Sequence, residues 1–129
     1  MSYYTDVKDF HVAFGQLVGT TPNLPDTAER TLRMRLLAEE MSEYQMAEAD
    51  NDIVEIADAL ADIIYIACGT AVAYGIPLDK IFDEVHRSNM AKLVDGKPLY
   101  REDGKVMKPA GWKAPDVKAI LDTSRDYNA

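Results

Sequence analysis

Between Ile53 and Ile76 the chain is apolar at nearly every position, yet Glu55, Asp58 and Asp62 fall within the first ten residues of that stretch. Its length would suit a membrane span. Each acid is costly in hydrocarbon, so the segment reads instead as a helix of a soluble protein, with no membrane partner. Ile53, Ile56, Ala57, Leu60, Ala61, Ile63, Ile64 and Ile66 leave it no broad polar face. A helix apolar nearly all round is normally buried, and its acids are then expected to be buried or half-buried with it. At about 100° per residue, Glu55, Asp58 and Asp62 share an arc of roughly 60°.

A second acidic run, Glu39-Glu40-Met41-Ser42-Glu43, lies upstream. Glu40 and Glu43 occupy adjacent edges of one helical face, and Glu39 stacks one turn before Glu43. If the two acidic faces meet, their carboxylates repel one another. A divalent cation removes that repulsion, and hard oxygen ligands suit Mg²⁺ or Mn²⁺. Two readings stand at this point. Spacing alone fits a solvated acidic stripe. The apolar neighbours favour a metal site, because buried acids are rare unless paired or coordinating.

A chain of 129 residues is one domain, 1–129, with a helical core over about 6–93 and a tail over 94–129. The net charge of −8 argues against a nucleic-acid surface but allows a nucleotide, since a metal can bridge acids to phosphates. Cys68 is the only cysteine, which excludes an internal disulfide and a thiolate zinc site and suggests a small core residue. The segment Met1–Asp6 shows neither a basic start nor an apolar signal core, so the expected location is cytoplasmic.

Punctuation along the chain predicts the helices. Asp6 is the expected cap of a first helix with Val7, Phe10, Phe14 and Leu17 on its apolar face, ended by Gly19. Asp26-Thr27-Ala28-Glu29 has the capping-box pattern for a second helix running to about Ala49. Asp52 can cap a third, and Gly75 is placed to stop it after Tyr74. Pro77 can open a fourth. Asp103-Gly104 suggests a small hairpin between Leu99–Glu102 and Lys105–Lys108. Pro115 or Asp116 starts a short last helix to about Thr123, with frayed residues after it. The fold class expected is all-α, an antiparallel helical bundle with a short irregular C-terminal tail. Its helices carry more apolar surface than one small bundle covers, which predicts a homo-oligomer, a dimer in the simplest case.

A basic run, His86-Arg87-Ser88-Asn89-Met90-Ala91-Lys92, ends the fourth helix, and Asn89 and Lys92 share a face. Arg87 and Lys92 can hold phosphate oxygens. The tail adds Lys97, Lys105, Lys108 and Lys113, and Trp112 can either stack on a base or pack the tail against the bundle. Acids for an ion and cations for phosphates is the division that metal-assisted phosphoryl chemistry needs. A basic last turn that simply complements the helix dipole accounts for the same spacing. His86 and His11 are the only histidines and lie far apart, and no Gly-rich phosphate loop, nucleophile elbow or His-Glu zinc motif is present.

Glu39-Glu40-x-x-Glu43 followed by Glu55-x-x-Asp58 resembles the EExxE…ExxD signature of the all-α nucleoside triphosphate pyrophosphohydrolases. That superfamily includes the MazG-like enzymes, the dimeric dUTPases and the phosphoribosyl-ATP pyrophosphohydrolases. Asp62-Ile63-Ile64-Tyr65, Gly69, Gly75-Ile76 and Val85-His86-Arg87-Ser88-Asn89-Met90-x-Lys92 resemble the MazG-like subgroup with a phosphoribosyl-ATP pyrophosphohydrolase-type domain, over about Phe10 to Lys113. The resemblance implies cleavage of a nucleoside triphosphate between the α and β phosphates, giving a monophosphate and pyrophosphate. It implies Glu40, Glu43, Glu55 and Asp58 as Mg²⁺ ligands, Glu39 as the base or orienter of the attacking water, and Asp62 near a further ion or a water of that site. It implies Asn89 and Lys92 as phosphate or sugar contacts, and a dimer or tetramer with sites shared between subunits. Arg87, Lys105, Lys108 and Trp112 complete the candidate substrate-binding set. Tyr65 is followed by Ile66 where the histidine-pathway enzyme has a Tyr-His step, which leaves phosphoribosyl-ATP hydrolysis as the alternative reading. A non-catalytic helical module that senses nucleotides is the third.

Overall fold

The computed structural model describes residues 1–128, with side chains described through Ser124. Among them five helices follow one another: α1 (Tyr3–Ala13), α2 (Thr27–Ala49), α3 (Ile53–Tyr74), α4 (Leu78–Met90) and α5 (Val117–Asn128). The chain is all-helical as the sequence leads one to expect, apart from two isolated β-bridges in the segment between α4 and α5.

The caps explain where the helices start. α1 begins earlier than Asp6, because Ser2 and Thr5 form a reciprocal capping box: Thr5 N–H donates to Ser2 Oγ and Ser2 N–H to Thr5 Oγ1. Asp6 lies instead in the first turn, where its negative charge suits the helix N-terminus. α1 also stops earlier than Gly19. Its C-cap is Phe14, and Gly15 with φ +68° turns the chain away. Asp26 caps α2 by accepting from Glu29 N–H at 2.9 Å. Asp52 caps α3 by accepting from the N–H groups of Val54 and Glu55 at 3.1 and 3.2 Å. Gly75 (φ +68°) closes α3 in a Schellman arrangement, with Gly75 N–H donating to Val72 O and Ile76 N–H to Ala71 O. α5 runs to Asn128, further than its sequence suggests. Asp116 accepts from Ala119 N–H at its start.

α3 is the axis against which α1 and α2 both pack. α2 runs against it in the opposite direction: Arg33 lies against Gly69, and Glu40 lies beside Asp62. Gly69 makes the first of these contacts possible, since a Cβ there would stand 2.8 Å from Arg33 Nη2 and 3.0 Å from His11 Nε2. Arg33 is 5% exposed, and burial lowers its pKa from the ordinary guanidinium value. His11 Nδ1 donates to Leu17 O at 2.8 Å, and its Nε2 lies on the same side of Gly69 as the Arg33 guanidinium. Val7 of α1 joins Cys68 and Val72 of α3 in the core, with Tyr4, Val18 and Leu78 packed around them. Cys68 is therefore a core residue, and burial raises its thiol pKa.

Burial of α3 is less complete than its composition suggests. Ala59, Cys68, Gly69, Ala71, Val72 and Ala73 are buried, but Ile53 and Val54 are 75% and 71% exposed, and Leu60, Ile64 and Tyr65 are exposed too. The reason is length. α1 has 11 residues against 22 in α3, so within one chain it covers only part of the helix that α2 leaves open.

The loop between α1 and α2 ties off the end of α3. Gly19 N–H donates to Val72 O at 2.8 Å and Asn23 N–H to Tyr74 O at 3.0 Å, satisfying carbonyls that a helix end leaves free. The expected hairpin at Asp103-Gly104 is present as a single bridge, Tyr100 to Val106, and a second narrow turn at Asp95-Gly96 joins Val94 to Lys97.

Gly75 cannot be replaced without moving backbone, since a Cβ there would stand 2.4 Å from Thr21 O in addition to the left-handed φ. Gly75→Ala is expected to destabilise the protein by at least about 2 kcal/mol, read as a melting temperature roughly 6–10 °C lower in a thermal melt.

Candidate active site at the seam of α2 and α3

The register of α2 on α3 brings acids from the two helices together. Glu40 and Glu43, one turn apart on α2, and Asp62 on α3 each place a carboxylate oxygen within 4.8 Å of the other two. That spacing approaches the span of one small hard cation's coordination sphere, in which oxygens lie about 3–4 Å apart. Glu40 and Asp62 are half-buried, and Glu43 is exposed. Glu40 Oε2 is shielded from solvent and has no hydrogen-bond partner among the described residues. A buried carboxylate oxygen without a donor is expensive, and a cation satisfies it.

Electrostatics point the same way. The pKa of Glu40 is raised, first by loss of water around it, then by the neighbouring Glu43 carboxylate and the charges of Asp62 and Asp58. That of Asp62 is raised by loss of water, then by Asp58 and Glu43. Asp58, one turn before Asp62, is therefore part of the same field although its side chain is exposed.

Glu39 and Glu55 are exposed and stand outside the three-carboxylate group. Glu39 adjoins Glu40 on α2, and Glu55 lies in the first turn of α3, a turn before Asp58. Of the α3 acids expected to be buried or half-buried, Asp62 is half-buried, while Glu55 and Asp58 are exposed because a single chain does not cover the first half of α3.

The basic residues form a separate group. Arg87 makes a two-bond pair with Glu84, Nε to Oε1 at 2.6 Å and Nη2 to Oε2 at 3.1 Å. Glu84 Oε2 also accepts Asp116 N–H at 2.7 Å, and these bonds hold the Glu84 pKa at about 2. Glu84 is a structural residue the sequence reading passes over, though its i,i+3 spacing to Arg87 is the signal that exposes it. Trp112 Nε1–H donates to Ser88 O at 2.6 Å, so the tryptophan packs the tail on α4. Lys92 and Lys108 stand over its ring. Asn89 and Lys105 are exposed, and Lys105 N–H is held by Asp103. Among the described residues no hydrogen bond or ion pair joins Arg87–Lys92 to α2 or α3.

The sequence model of a family described as phosphoribosyl-ATP pyrophosphohydrolase matches residues 7–89, which include every acid of the seam. A protein of Acanthamoeba polyphaga mimivirus, described as uncharacterized, is 30% identical over 132 residues, covering 97% of this chain. The chain spans half the length of that relative.

A raised carboxyl pKa in the folded state means that folding takes up protons, so the acids of the seam favour the fold below their ordinary pKa and oppose it as pH rises through the raised one. Without divalent cations, Glu40→Gln is therefore expected to melt about 2 °C above the wild type at pH 7.5, discounted for the partial exposure of the site. The gap should close by pH 4.5. A pH-independent difference in paired thermal melts would show that charge crowding is not its cause.

Proposed function

The chain belongs to the phosphoribosyl-ATP pyrophosphohydrolase family, hydrolases acting on acid anhydrides, and from that premise we propose that it cleaves a nucleoside triphosphate between the α and β phosphates, releasing a monophosphate and pyrophosphate. The observation that carries this reading is the convergence of Glu40, Glu43 and Asp62 within 4.8 Å, with a shielded, unpartnered oxygen on Glu40. Glu40, Glu43 and Asp62 would hold a divalent cation, with Asp58 and Glu55 beside them. Mg²⁺ is the ion such hard oxygens suit, and when bound it neutralises polyphosphate charge and lowers the pKa of a coordinated water.

The remaining work falls to the chain. One water adds across the α–β anhydride: its oxygen joins phosphorus, the P–O bond to the bridging oxygen breaks, and a proton passes to a carboxylate. Glu39, beside Glu40 and exposed to solvent, is the residue we assign to take or orient that proton. Asn89 and Lys92, with Lys105 and Lys108 from the tail, are the residues we assign to phosphates or sugar. Phosphoribosyl-ATP is the second substrate reading, favoured by the name of the matching family. It presents the same α–β anhydride, so the same residues serve both.

We assign the working form to a homodimer. A groove of about 810 Å³ runs between α1, α3 and the start of α4, lined among others by Tyr3, Ile63, Ile64, Leu78 and Phe82, with Phe82 68% exposed. A second copy seated there covers the apolar side of α3 that α1 leaves open and offers a route for the basic end of one α4 to approach the acids of the other chain.

Pyrophosphate, not orthophosphate, is the expected primary product when a panel of nucleoside triphosphates and phosphoribosyl-ATP is incubated with Mg²⁺, and EDTA should abolish its release. Glu40→Gln and Asp62→Asn should each lower kcat/KM at least ~100-fold, while Glu39→Gln keeps metal binding and loses rate. Orthophosphate as the main product, or activity indifferent to EDTA, would sink the reading.

Light scattering at micromolar concentration should give a dimer mass. Mixing Glu40→Gln with Lys92→Ala subunits should recover activity if the two groups come from different chains. A stable, active monomer would overturn the assembly.

A further inference from the structure

Two lysines and the chain's one tryptophan form a built group at the end of α4. Trp112 is held by both its side chain and its backbone. Its Nε1–H donates to the carbonyl of Ser88, a residue only 1% exposed, and its own N–H donates to Pro109 O at 3.1 Å in the turn at Gly111. The start of α5 is latched nearby, where Asp116 N–H donates to Glu84 Oε2 at 2.7 Å. Lys92 Nζ, from the end of α4, stands 5.4 Å from the ring centroid. Lys108 Nζ, from the tail, stands 5.0 Å from the same centroid. Both distances lie within cation–π range of the same ring.

Neither ammonium pairs with a carboxylate among the described residues. Arg87 and Arg101, the arginines on either side, each have a carboxylate of their own, Glu84 and Asp103. Two lysines brought from segments sixteen residues apart onto one ring, neither holding a carboxylate among the described residues, make a place for an anion from outside.

We propose that Trp112 is a positioning residue, whose ring gathers Lys92 and Lys108 into one seat for the pyrophosphoryl end of the substrate. The ligand chemistry rests on the pyrophosphohydrolase reading above, and the tail thereby becomes part of the binding site. Trp112 does not itself stack on the base: its indole N–H is spent on Ser88 and its ring on the two ammoniums. The nucleoside end of the substrate is recognised elsewhere, so the seat acts on polyphosphate and not on a nucleoside monophosphate.

Calorimetric titration with inorganic pyrophosphate, and separately with a nucleoside monophosphate, tests this in Trp112→Leu, Trp112→Phe, Lys108→Ala and the double variant Trp112→Leu/Lys108→Ala. Trp112→Leu and Lys108→Ala should each weaken pyrophosphate binding about tenfold and leave monophosphate binding unchanged. The double variant should be no weaker than Trp112→Leu alone, because the tryptophan acts through the lysines. Trp112→Phe should recover most of the loss, since it keeps a ring for the ammoniums. In turnover, KM should rise about tenfold with kcat little changed. As the only tryptophan, Trp112 should also change its emission when pyrophosphate binds the wild type, and should not in Lys108→Ala. Should Trp112→Leu fail to fold, that emission change and the Lys108→Ala affinity decide the matter. Unchanged pyrophosphate affinity in Lys108→Ala, additive losses in the double variant, or equal weakening of the monophosphate would overturn the proposal. Absence of hydrolysis with these binding changes intact would overturn the activity and leave the seat standing.

Discussion

Along the line where α2 meets α3, a buried guanidinium stands at one end and three carboxylates stand two turns away. Both depend on the same opposed register, which sets Arg33 on Gly69 and Glu40 beside Asp62. The contact at Gly69 brings helix backbone close enough for Arg33 and His11 to enter together. The contact at Glu40 forces like charges into one place. Closing the seam therefore carries a cost at both ends, a shielded Arg33 Nε without a partner among the described residues at one and crowded carboxylates at the other. The site gains its charge density from packing that the rest of the seam enforces, which is how a functional group of acids can be held against its own repulsion.

α3 is shaped by two unequal demands. Its C-terminal half is buried by α1 and closed by the loop from Gly15 to Asp26, whose N–H groups reach the last carbonyls of the helix. Its N-terminal half carries the acids and stays open to solvent. The cost is a row of exposed aliphatic side chains from Ile53 to Ile64 beside those acids. Apolar surface of that kind is stable in water when something covers it, and a second copy of the chain is the cover that symmetry makes easiest.

The segment after α4 is tied down by polar links where it has little core of its own. Glu84 accepts from Arg87 and from Asp116 N–H, and Ser88 O accepts from Trp112. These bonds fasten the tail to the same helical turns that carry Asn89 and Lys92. α4 itself is anchored at its other end, through Leu78 in the core and the Ser2–Asp79 hydrogen bond. Its basic end is thus set by the tail more than by the other helices.

Much of the chain is legible one segment at a time. Asp26, Asp52 and Gly75 mark helix ends because capping is a local bond between residues two to four apart, and the structure places them as that rule requires. Asp6 misleads for the same reason: an acid in a first turn resembles a cap, while the capping box at Ser2 and Thr5 does the work. The acidic runs, the apolar third helix and the family are likewise local patterns. What the sequence by itself could not determine is which acids converge. Spacing grouped Glu55, Asp58 and Asp62 equally, and the register of α2 on α3 singled out Asp62 to join Glu40 and Glu43. Nor does any local pattern join Trp112 to Ser88, 24 residues away, or place two lysines on one ring. Helix periodicity fixes the direction of a side chain around its own axis only. Which directions meet is decided by how whole helices pack, and that depends on the volume and charge of every residue along the seam.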